Sequence, residues 1–381
     1  MSGLLVVDFT AYESGPLATV MLADQGARVI KVEPPAGDAV RAVGLGHTDR
    51  PDLFKETVTA SFQQFNRGKE SVTLDLKDPD QVALAKKLIV KADIVFENYR
   101  PGVMKKLGLD YDTASALNPS VVYVSVSGYG QFGEFATNAA FDVVVQATSG
   151  IMSATGFPGG HPTKSGASIA DAGASIYAYG ACLTALYGRE KTGKGCHVDV
   201  AMQDALMMTQ TDVLSTALLT GEAPGLAGNE HLTLHPFGVF PCKDETQLAL
   251  AVAAPHQFAD MAKAMGHPEW VEDERFGFPE PLASTHRADF DAVFRPELAK
   301  KTAKEWKEIF SEARLPVNIL YDYVELGNSD FLQERKIVAN FKGMKVVGNP
   351  MKLSAYPDPA DALRDAPTLG EHTAAIRKEF E

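Results

Sequence analysis

The sequence predicts a mixed α/β protein, with a doubly wound parallel sheet in its first part and a smaller α+β domain after it. Short apolar runs alternate with helical segments, as they do when helices cover both faces of a sheet. The 381 residues are 45% hydrophobic and 22% charged, which is typical of a globular protein that buries a large core without disulfides or a structural metal. After Gly221 the pattern changes to a connector with Pro and Gly, followed by hairpin-like strands.

The first predicted strand–helix–strand unit lies at the start of the chain. Leu4–Phe9 is short and mostly apolar, which predicts a strand covered on both faces. Pro16 suits the first position of a helix, and Gly26 suits the end of that helix. Arg28–Glu33 is then predicted to be the second strand.

The second unit repeats this arrangement with a better-marked helix. A strand is predicted over Ser71–Leu76, and Asp78 follows it with a proline next and Gln81 three residues on, which predicts a capping box at a helix start. Further buried strands are predicted at Ile94–Glu97 and Val121–Val126. Strands joined by helices form right-handed crossovers, so these strands are predicted to run parallel in one sheet.

The chain is predicted to form two domains. The large domain spans 1–221, and the linker with the small α+β domain spans 222–334. In the small domain, Phe237–Pro241 and Gln247–Val252 have the pattern of two strands of a hairpin. The tail beyond Asn349 is rich in Pro and ends in a short polar helix.

The charges argue against one class of partner. The chain carries 36 basic and 49 acidic residues, a net charge of −13, without the basic run that phosphate backbones require. The N-terminal residues lack the features of a secretory signal. The uncharged stretch Ala172–Gly188 is shorter than the ~20 residues of a membrane span. The sequence therefore predicts a cytoplasmic protein that binds neither nucleic acid nor membrane.

Several common site motifs are missing from the sequence. The loop Thr10–Pro16 has a single glycine and does not match the G-x-G-x-x-G fingerprint of dinucleotide-binding proteins. A Walker A loop and a G-x-S-x-G elbow are also missing. His231 and His235 are four residues apart, but a proline follows and no neighbouring carboxylate completes a zinc motif, so no metal site is predicted. The three cysteines have no CxxC spacing and are predicted to be inert thiols.

Several segments, taken together, resemble the class III CoA-transferases, a family that includes formyl-CoA:oxalate and acetyl-CoA:oxalate CoA-transferases. The segments occur in the family's order and cover nearly the whole chain. They are Gly15–Arg41, Phe65–Pro79, Ala92–Tyr111, Leu117–Gly133, Pro162–Ala205 and Pro367–Thr373. The segment Pro162–Ala205 carries the most specific part of the resemblance.

The resemblance implies both an architecture and a reaction. In this family a Rossmann-like large domain binds CoA and the C-terminal tail returns to it, so residues 335–381 would complete the large domain as a strap. In this family, two chains interlock as a ring-like homodimer. The implied reaction moves CoA from a short acyl-CoA, such as acetyl-, formyl- or succinyl-CoA, to a small carboxylic acid such as oxalate. Coenzyme A thioester is then a substrate, and no cofactor is bound permanently.

The resemblance implies that Asp171 is the catalytic nucleophile. A carboxylate can attack a thioester to give a mixed anhydride and CoA thiolate, and the thiolate can return to give an aspartyl-CoA thioester. Both intermediates hydrolyse readily, so the site is expected to be narrow and dry. The alternative role for Asp171 is structural, as the N-cap of a helix over Gly173–Gly188.

Other positions match the family's CoA contacts. Lys77 and Lys106 are candidate partners for CoA phosphates, because both are cations beside strand ends and helix starts; alternatively, each is a solvated surface lysine. Arg41 and Arg100 are candidates for holding the acceptor carboxylate. The positions that match CoA contacts are Tyr12, Glu13, Ser14, Leu74, Lys77, Asn98, Tyr99, Lys106, Leu107, Ser127 and Tyr129.

Two departures from the family's patterns narrow the expected reaction. The formyl-CoA enzyme carries a run of glycines in a loop over the acyl site, whereas this chain has Asn229–Phe237, which is closer to the acetyl-CoA:oxalate branch. Related racemases have a catalytic histidine where this chain has Phe141, which disfavours proton exchange at the α-carbon. The alternatives to a transferase are an acyl-CoA racemase or epimerase and a non-catalytic acyl-CoA-binding relative.

Overall fold

The computed structural model describes residues 1–42, 59–243, 245–276, 286–341 and 344–381. These residues form two compact units, each with its own core. Unit 1 comprises Met1–Ile151, Lys164–Ser215 and Asp330–Glu381, and unit 2 comprises Met152–Thr163 and Thr216–Ser329.

Unit 1 is built on a six-stranded sheet in which all neighbouring strands run parallel. The strand order is β3-β2-β1-β4-β5-β6, so the winding direction reverses between β1 and β4. This is a doubly wound order, and the predicted mixed α/β class with a parallel sheet is confirmed. The strands are β1 Leu5–Asp8, β2 Arg28–Glu33, β3 Glu70–Thr73, β4 Ile94–Glu97, β5 Val122–Ser127 and β6 Cys196–Ala201.

Helices connect these strands and make up much of unit 2. Within the described ranges, none is both long enough and apolar enough to cross a membrane. The helices are α1 Pro16–Asp24, α2 Ala60–Asn66, α3 Pro79–Lys91, α4 Val103–Leu107, α5 Tyr111–Leu117, α6 Asp142–Thr148, α7 Ile151–Ala154, α8 Ile169–Thr192, α9 Met202–Met207, α10 Thr211–Thr220, α11 Pro255–Met265, α12 Arg287–Leu298, α13 Ala303–Glu312, α14 Tyr323–Gly327, α15 Asp330–Glu334 and α16 Thr373–Phe380.

Local sequence signals explain how two helices of unit 1 begin. Pro16 lies in the first turn of α1, where the N–H that proline lacks would have no helical partner. At α3 the Asp78 carboxylate accepts a hydrogen bond from the Asp80 N–H, as expected of an N-cap. In a full capping box the Gln81 side chain would accept a hydrogen bond from the Asp78 N–H. Instead, the Gln81 amide donates to the Asp78 side chain and accepts from the Asp75 N–H.

The two faces of the sheet pack against different helices. On one face, Val122 and Val124 of β5 share a core with Ala174 and Ala178 of α8, all of them fully buried. Small side chains on α8 allow this helix to lie close to the strands. On the other face, α3 and the C-terminal helix α16 cover the sheet. Helices therefore cover β1 to β5 on both faces, as the short apolar runs predicted.

Unit 2 contains a three-stranded antiparallel sheet with the order β7-β8-β9. The predicted hairpin is confirmed as β7 Phe237–Pro241 and β8 Gln247–Ala251, and β9 Val317–Ile319 pairs with β8. Aromatic side chains such as Phe290 and Phe294 of α12 fill the core beside this sheet. Unit 2 thus combines an antiparallel sheet with helices.

The end of the chain belongs to unit 1 and packs against its sheet. β10 Val338–Phe341 and β11 Met344–Val347 form an antiparallel hairpin. Further on, the Thr73 N–H of β3 donates a hydrogen bond to Thr373 Oγ1 at 3.0 Å. Ile376 of α16 is then completely buried in the core. The tail therefore covers the terminal strand of the sheet.

Candidate active site

A cavity of about 410 Å³ opens at the carboxyl ends of the parallel strands in unit 1. It lies beside the loops that follow β1 and β4, where the strand order reverses and where doubly wound sheets bind ligands. Asp171 lines the cavity from the start of α8. The loops contribute Tyr12, Glu13 and Ser14 after β1, Asn98, Tyr99, Arg100 and Pro101 after β4, and Ser127 and Gly128 at the end of β5.

The loop after β1 is held in an uncommon backbone conformation. Tyr12 has a φ of 64°, in the left-handed region that few side chains adopt. Asn98 fastens this loop, because its Oδ1 accepts from the Ala11 N–H at 2.9 Å and its Nδ2 donates to the Ala11 carbonyl at 2.8 Å and to Ser14 Oγ at 3.2 Å. A β-carbon at Gly15 would overlap a neighbouring side chain, so this position requires glycine.

Buried ion pairs support this loop from below. They are Asp8–Lys69 at 2.9 Å, Lys31–Asp38 at 2.9 Å and Glu33–Arg41 at 2.6 Å. The Asp38 carboxylate also accepts from the Tyr12 N–H at 3.3 Å, and Lys31 Nζ donates to the Thr10 carbonyl at 2.7 Å. Asp38 and Lys31 of these ion pairs are therefore hydrogen-bonded to the backbone of the loop after β1.

Asp171 is the third residue of α8 and not its N-cap. The N-cap of α8 is Ser168, so the structural alternative for Asp171 is wrong. Burial raises the pKa of Asp171, and the negative charges of Glu13 and Asp142 raise it further, to about 7. Both protonation states of this carboxyl group are therefore accessible near neutral pH.

Helix α6 fixes the segment that leads to Asp171. The Asp142 carboxylate accepts hydrogen bonds from the Ala170 N–H at 2.8 Å and from the Gln146 amide at 2.6 Å. Gln146 is completely buried and accepts from the Ser165 N–H at 2.8 Å. Asp142 thus satisfies an N–H in the first turn of α8. Sequence reasoning missed this support, because the bonds join two helices that are far apart in the chain.

The predicted CoA-contact residues divide into two groups. Tyr12, Glu13, Ser14, Asn98, Tyr99 and Ser127 line the cavity together with Asp171. The others lie outside that lining: Leu74 is in the core, Leu107 packs against that core, Tyr129 lies against Phe135, and Lys77 and Lys106 are exposed. Of the two candidates for holding the acceptor, Arg100 lines the cavity, whereas Arg41 is buried against Glu33.

His235 in unit 2 has carboxylate neighbours that the sequence analysis did not predict. Its buried ring lies 3.2 Å from Glu230 and 3.1 Å from Asp291, and within the described ranges these residues form the one group that could hold a metal ion. Arg295 already pairs with both carboxylates. Although burial lowers the pKa of His235, hydrogen bonds to Asp291 and Glu230 raise it overall. The cluster therefore favours an imidazolium ion pair over a metal ligand.

The sequence comparison decides the family. Residues 1–373 match CoA-transferase family III. The chain belongs to this family. The predicted resemblance is confirmed, and the protein is a family III CoA-transferase, an enzyme class whose substrates are CoA thioesters.

Two named CoA-transferases and one solved structure match this transferase over nearly its whole length. It is 39% identical over 380 residues to the acetyl-CoA:oxalate CoA-transferase of Acetobacter aceti, covering 99% of this chain and 95% of that protein. It is 32% identical over 385 residues to the succinate–glutarate CoA-transferase of Agrobacterium fabrum, covering 100% and 96%. The crystal structure of a CAIB/BAIF family protein from Brucella suis superimposes with a TM-score of 0.87 at 30% identity, covering 100% of this chain and 99% of that one.

Proposed function

We propose that this family III CoA-transferase moves CoA from a short acyl-CoA, such as acetyl-, formyl- or succinyl-CoA, to a small carboxylic acid, with Asp171 as the nucleophile. The observation that supports the proposal is a carboxyl group of raised pKa lining a cavity at the reversal of the strand order. Oxalate is the leading acceptor, because a relative that is 39% identical is named for it.

The proposed steps follow from the chemistry of a carboxylate. Ionised Asp171 attacks the thioester carbonyl, the C–S bond breaks, and a mixed anhydride and CoA thiolate form. The thiolate then attacks the aspartyl carbonyl, which releases the donor acid and leaves an aspartyl-CoA thioester. The acceptor carboxylate attacks that thioester to form a second anhydride and free the thiolate again. The thiolate finally attacks the acceptor carbonyl, which gives the new acyl-CoA and regenerates Asp171.

The surroundings of Asp171 suit intermediates that hydrolyse readily. The lining of the cavity includes the apolar side chains of Val40, Phe65, Val126 and Met202, which limit the water near the carboxyl group. Asp171 also lies in the first turn of α8, where the positive end of the helix dipole favours the negative charge that develops on the attacked carbonyl oxygen.

We infer that CoA lies over the carboxyl edge of the sheet with its thioester near Asp171. Residues of the cavity lining would contact the part of CoA next to the thioester, and the exposed Lys77 and Lys106 would meet its phosphates. The amide of Asn98 is already bonded to the loop after β1, so its contribution is to hold that loop. With a net charge of −13, the protein receives the anionic CoA through local cations, against its overall field.

Replacing Glu13 with glutamine is expected to move the acid limb of the pH–rate profile. Only ionised Asp171 attacks, so kcat/KM should fall as the pH drops through the pKa of Asp171, about 7. The charge of Glu13 contributes to that raised pKa, so the fall in Glu13→Gln should begin at a lower pH. Glu134→Gln removes an exposed carboxylate outside the cavity lining and should leave the profile as it is. An unshifted profile in Glu13→Gln would contradict this account.

We propose that unit 1 pairs with a second copy of the chain, as the family resemblance implies. Helix α8 exposes apolar side chains that are costly to leave in water: Ile176 is 61% exposed, Tyr177 42% and Tyr187 68%. Open space beside Gly180 would admit another backbone at close range. Interlocked rings cannot separate without unfolding, so ultracentrifugation at nanomolar concentration should show dimers and no folded monomer. Folded monomer on dilution would contradict interlocking.

Turnover on a panel of acids tests the proposed reaction. The enzyme is mixed with acetyl-, formyl- or succinyl-CoA and with oxalate, glutarate or another small acid, and new acyl-CoA is measured by mass spectrometry. Transfer to at least one acid is the expected result. Deuterium uptake at the α-carbon without transfer would indicate a racemase, although Phe141 offers no proton acceptor in the cavity. CoA binding with neither product would indicate a non-catalytic relative.

A further inference from the structure

A second cavity, of about 310 Å³, lies on the opposite face of the sheet from Asp171. Ser125 of β5 lines it, and Ser125 follows Val124, which points to the face covered by α8. The loop after β4 separates the two cavities, because Arg100 and Pro101 line both of them. The loop Asn98–Pro101 is therefore a wall between the two cavities, and we call it the shared wall.

A chain of hydrogen bonds runs along the second cavity to this wall. Glu97, the last residue of β4, is only 4% exposed and is the register partner of Ser125, with which its carboxyl group is hydrogen-bonded. Ser125 Oγ lies 2.9 Å from His197 Nε2. The His197 ring stacks on Tyr111 with centroids 5.0 Å apart, which fixes the plane of the imidazole. His197, Ser125 and Glu97 thus form a continuous relay.

Glu97 connects the relay to the cavity that holds Asp171. Its Oε2 accepts a hydrogen bond from the Tyr99 N–H at 2.9 Å, and Tyr99 lines that cavity. The adjacent Asn98 fastens the loop after β1, which carries Glu13. Glu97 therefore links the relay to the shared wall through a hydrogen bond.

We propose that Glu97 is a positioning residue for CoA binding, which fixes the shared wall while Ser125 and His197 fix Glu97. The inference rests on the proposed function, because it takes the cavity beside Asp171 as the CoA site. A serine hydroxyl suits the middle of the relay, since it donates in one direction and accepts from the other. A protonated Glu97 donates to Ser125, which donates to His197; an ionised Glu97 accepts from Ser125, and His197 then donates from Nε2.

Both proton arrangements leave Oε2 of Glu97 free to accept the Tyr99 N–H. Burial raises the pKa of Glu97 to about 7, so the neutral arrangement is accessible at physiological pH. Glutamine imitates that arrangement, because its carbonyl oxygen can accept from Tyr99 and its amide can donate to Ser125. Alanine removes both bonds. If the hydrogen bonds of Glu97 position the wall, the glutamine variant should therefore behave like the wild type and the alanine variant should not.

Calorimetric titration of the full-length enzyme with CoA tests the proposal. The Kd for CoA should rise about tenfold in Glu97→Ala, the effect of losing a buried hydrogen bond that holds the wall. In Glu97→Gln the Kd should stay within about twofold of the wild type, because both hydrogen bonds can still form. In turnover assays the KM for acyl-CoA should rise in Glu97→Ala by a larger factor than kcat falls. Asp112→Asn, which replaces an exposed residue of the second cavity and leaves Glu97, Ser125 and His197 in place, is the matched control and should bind CoA as the wild type does.

An unchanged Kd in Glu97→Ala would overturn the inference, and so would an equal loss in Glu97→Ala and Glu97→Gln. Wild-type enzyme that binds no CoA would instead overturn the proposed function, and the inference with it. If Glu97→Ala does not fold, Ser125→Ala takes its place, because it keeps Glu97 and removes the link to His197. That variant should bind CoA severalfold more weakly, and unchanged binding there would overturn the inference as well.

Discussion

Replacing Asp171 with alanine should reduce turnover by at least about 10³-fold, because the covalent route loses its nucleophile. CoA binding should persist, since its proposed contacts come from other residues. The carboxyl group is partly buried, and this burial and the charges of Glu13 and Asp142 disfavour its ionised form. The variant should therefore be at least as stable as the wild type at neutral pH. The measurements are the rate of acyl-CoA formation, the Kd for CoA and the midpoint of thermal unfolding.

Asp204→Ala is the matched control for this loss of activity. Asp204 is an exposed acidic residue in the first turn of α9, as Asp171 is an acidic residue in the first turn of α8. The control should keep full activity. Turnover in Asp171→Ala within about tenfold of the wild type would show that another group carries the acyl or CoA transfer.

Replacing Lys69 with methionine should destabilise unit 1 by about 3–5 kcal/mol, because it leaves the buried Asp8 without its main partner. Lys69 Nζ lies 2.9 Å from Asp8 Oδ2 and donates to Thr19 and Asn66, and both side chains of the ion pair are fully buried. Burial alone would raise the pKa of Asp8, but Lys69 and Lys31 outweigh it and hold that pKa at about 2. The carboxylate would thus stay buried with its charge incompletely balanced.

Urea unfolding measures this loss as a change in the free energy of unfolding. Lys194→Met, which replaces an exposed lysine of unit 1, is the control and should change stability little. The double variant Asp8→Asn with Lys69→Met removes both charges, so it should be less destabilised than the sum of the single variants. A loss below about 1 kcal/mol in Lys69→Met would mean that the pair behaves like an exposed salt bridge.

Local patterns in the sequence predicted most elements of unit 1. The predicted strands Arg28–Glu33 and Ile94–Glu97 match β2 and β4 in both bounds. These strands are buried on both faces, so each is short and mostly apolar, and in β2 the buried Lys31 interrupts the apolar residues. The predicted strand at Ser71–Leu76 was too long, because β3 ends at Thr73 and the chain then turns towards the cap of α3.

One strand of the sheet was not predicted. β6 lies at the edge of the sheet, and its first residues are exposed, including His197. An edge strand needs no continuous apolar run, so its pattern is weak. The polar residues of β6 include His197, whose imidazole belongs to the relay with Ser125 and Glu97.

The site was predictable where it depends on a contiguous segment and not where it depends on contacts between segments. The resemblance to a family motif predicts Asp171 from the residues beside it in the chain, and Asp171 lines the cavity. The supporting bonds from Asp142 to Ala170 and from Asn98 to Ala11 join residues that are 28 and 87 positions apart. Spacing in the sequence carries no information on such contacts, since they form only when the helices and loops meet in the fold.

The most direct test of the central claim is a mass measurement on enzyme incubated with an acyl-CoA donor before any acceptor is added. After an acid quench and proteolysis, the wild-type peptide that contains Asp171 should carry the added mass of CoA in thioester linkage, and the same peptide from Asp171→Ala should be unmodified. An unmodified peptide from an enzyme that turns over, or an adduct on a different residue, would contradict the account.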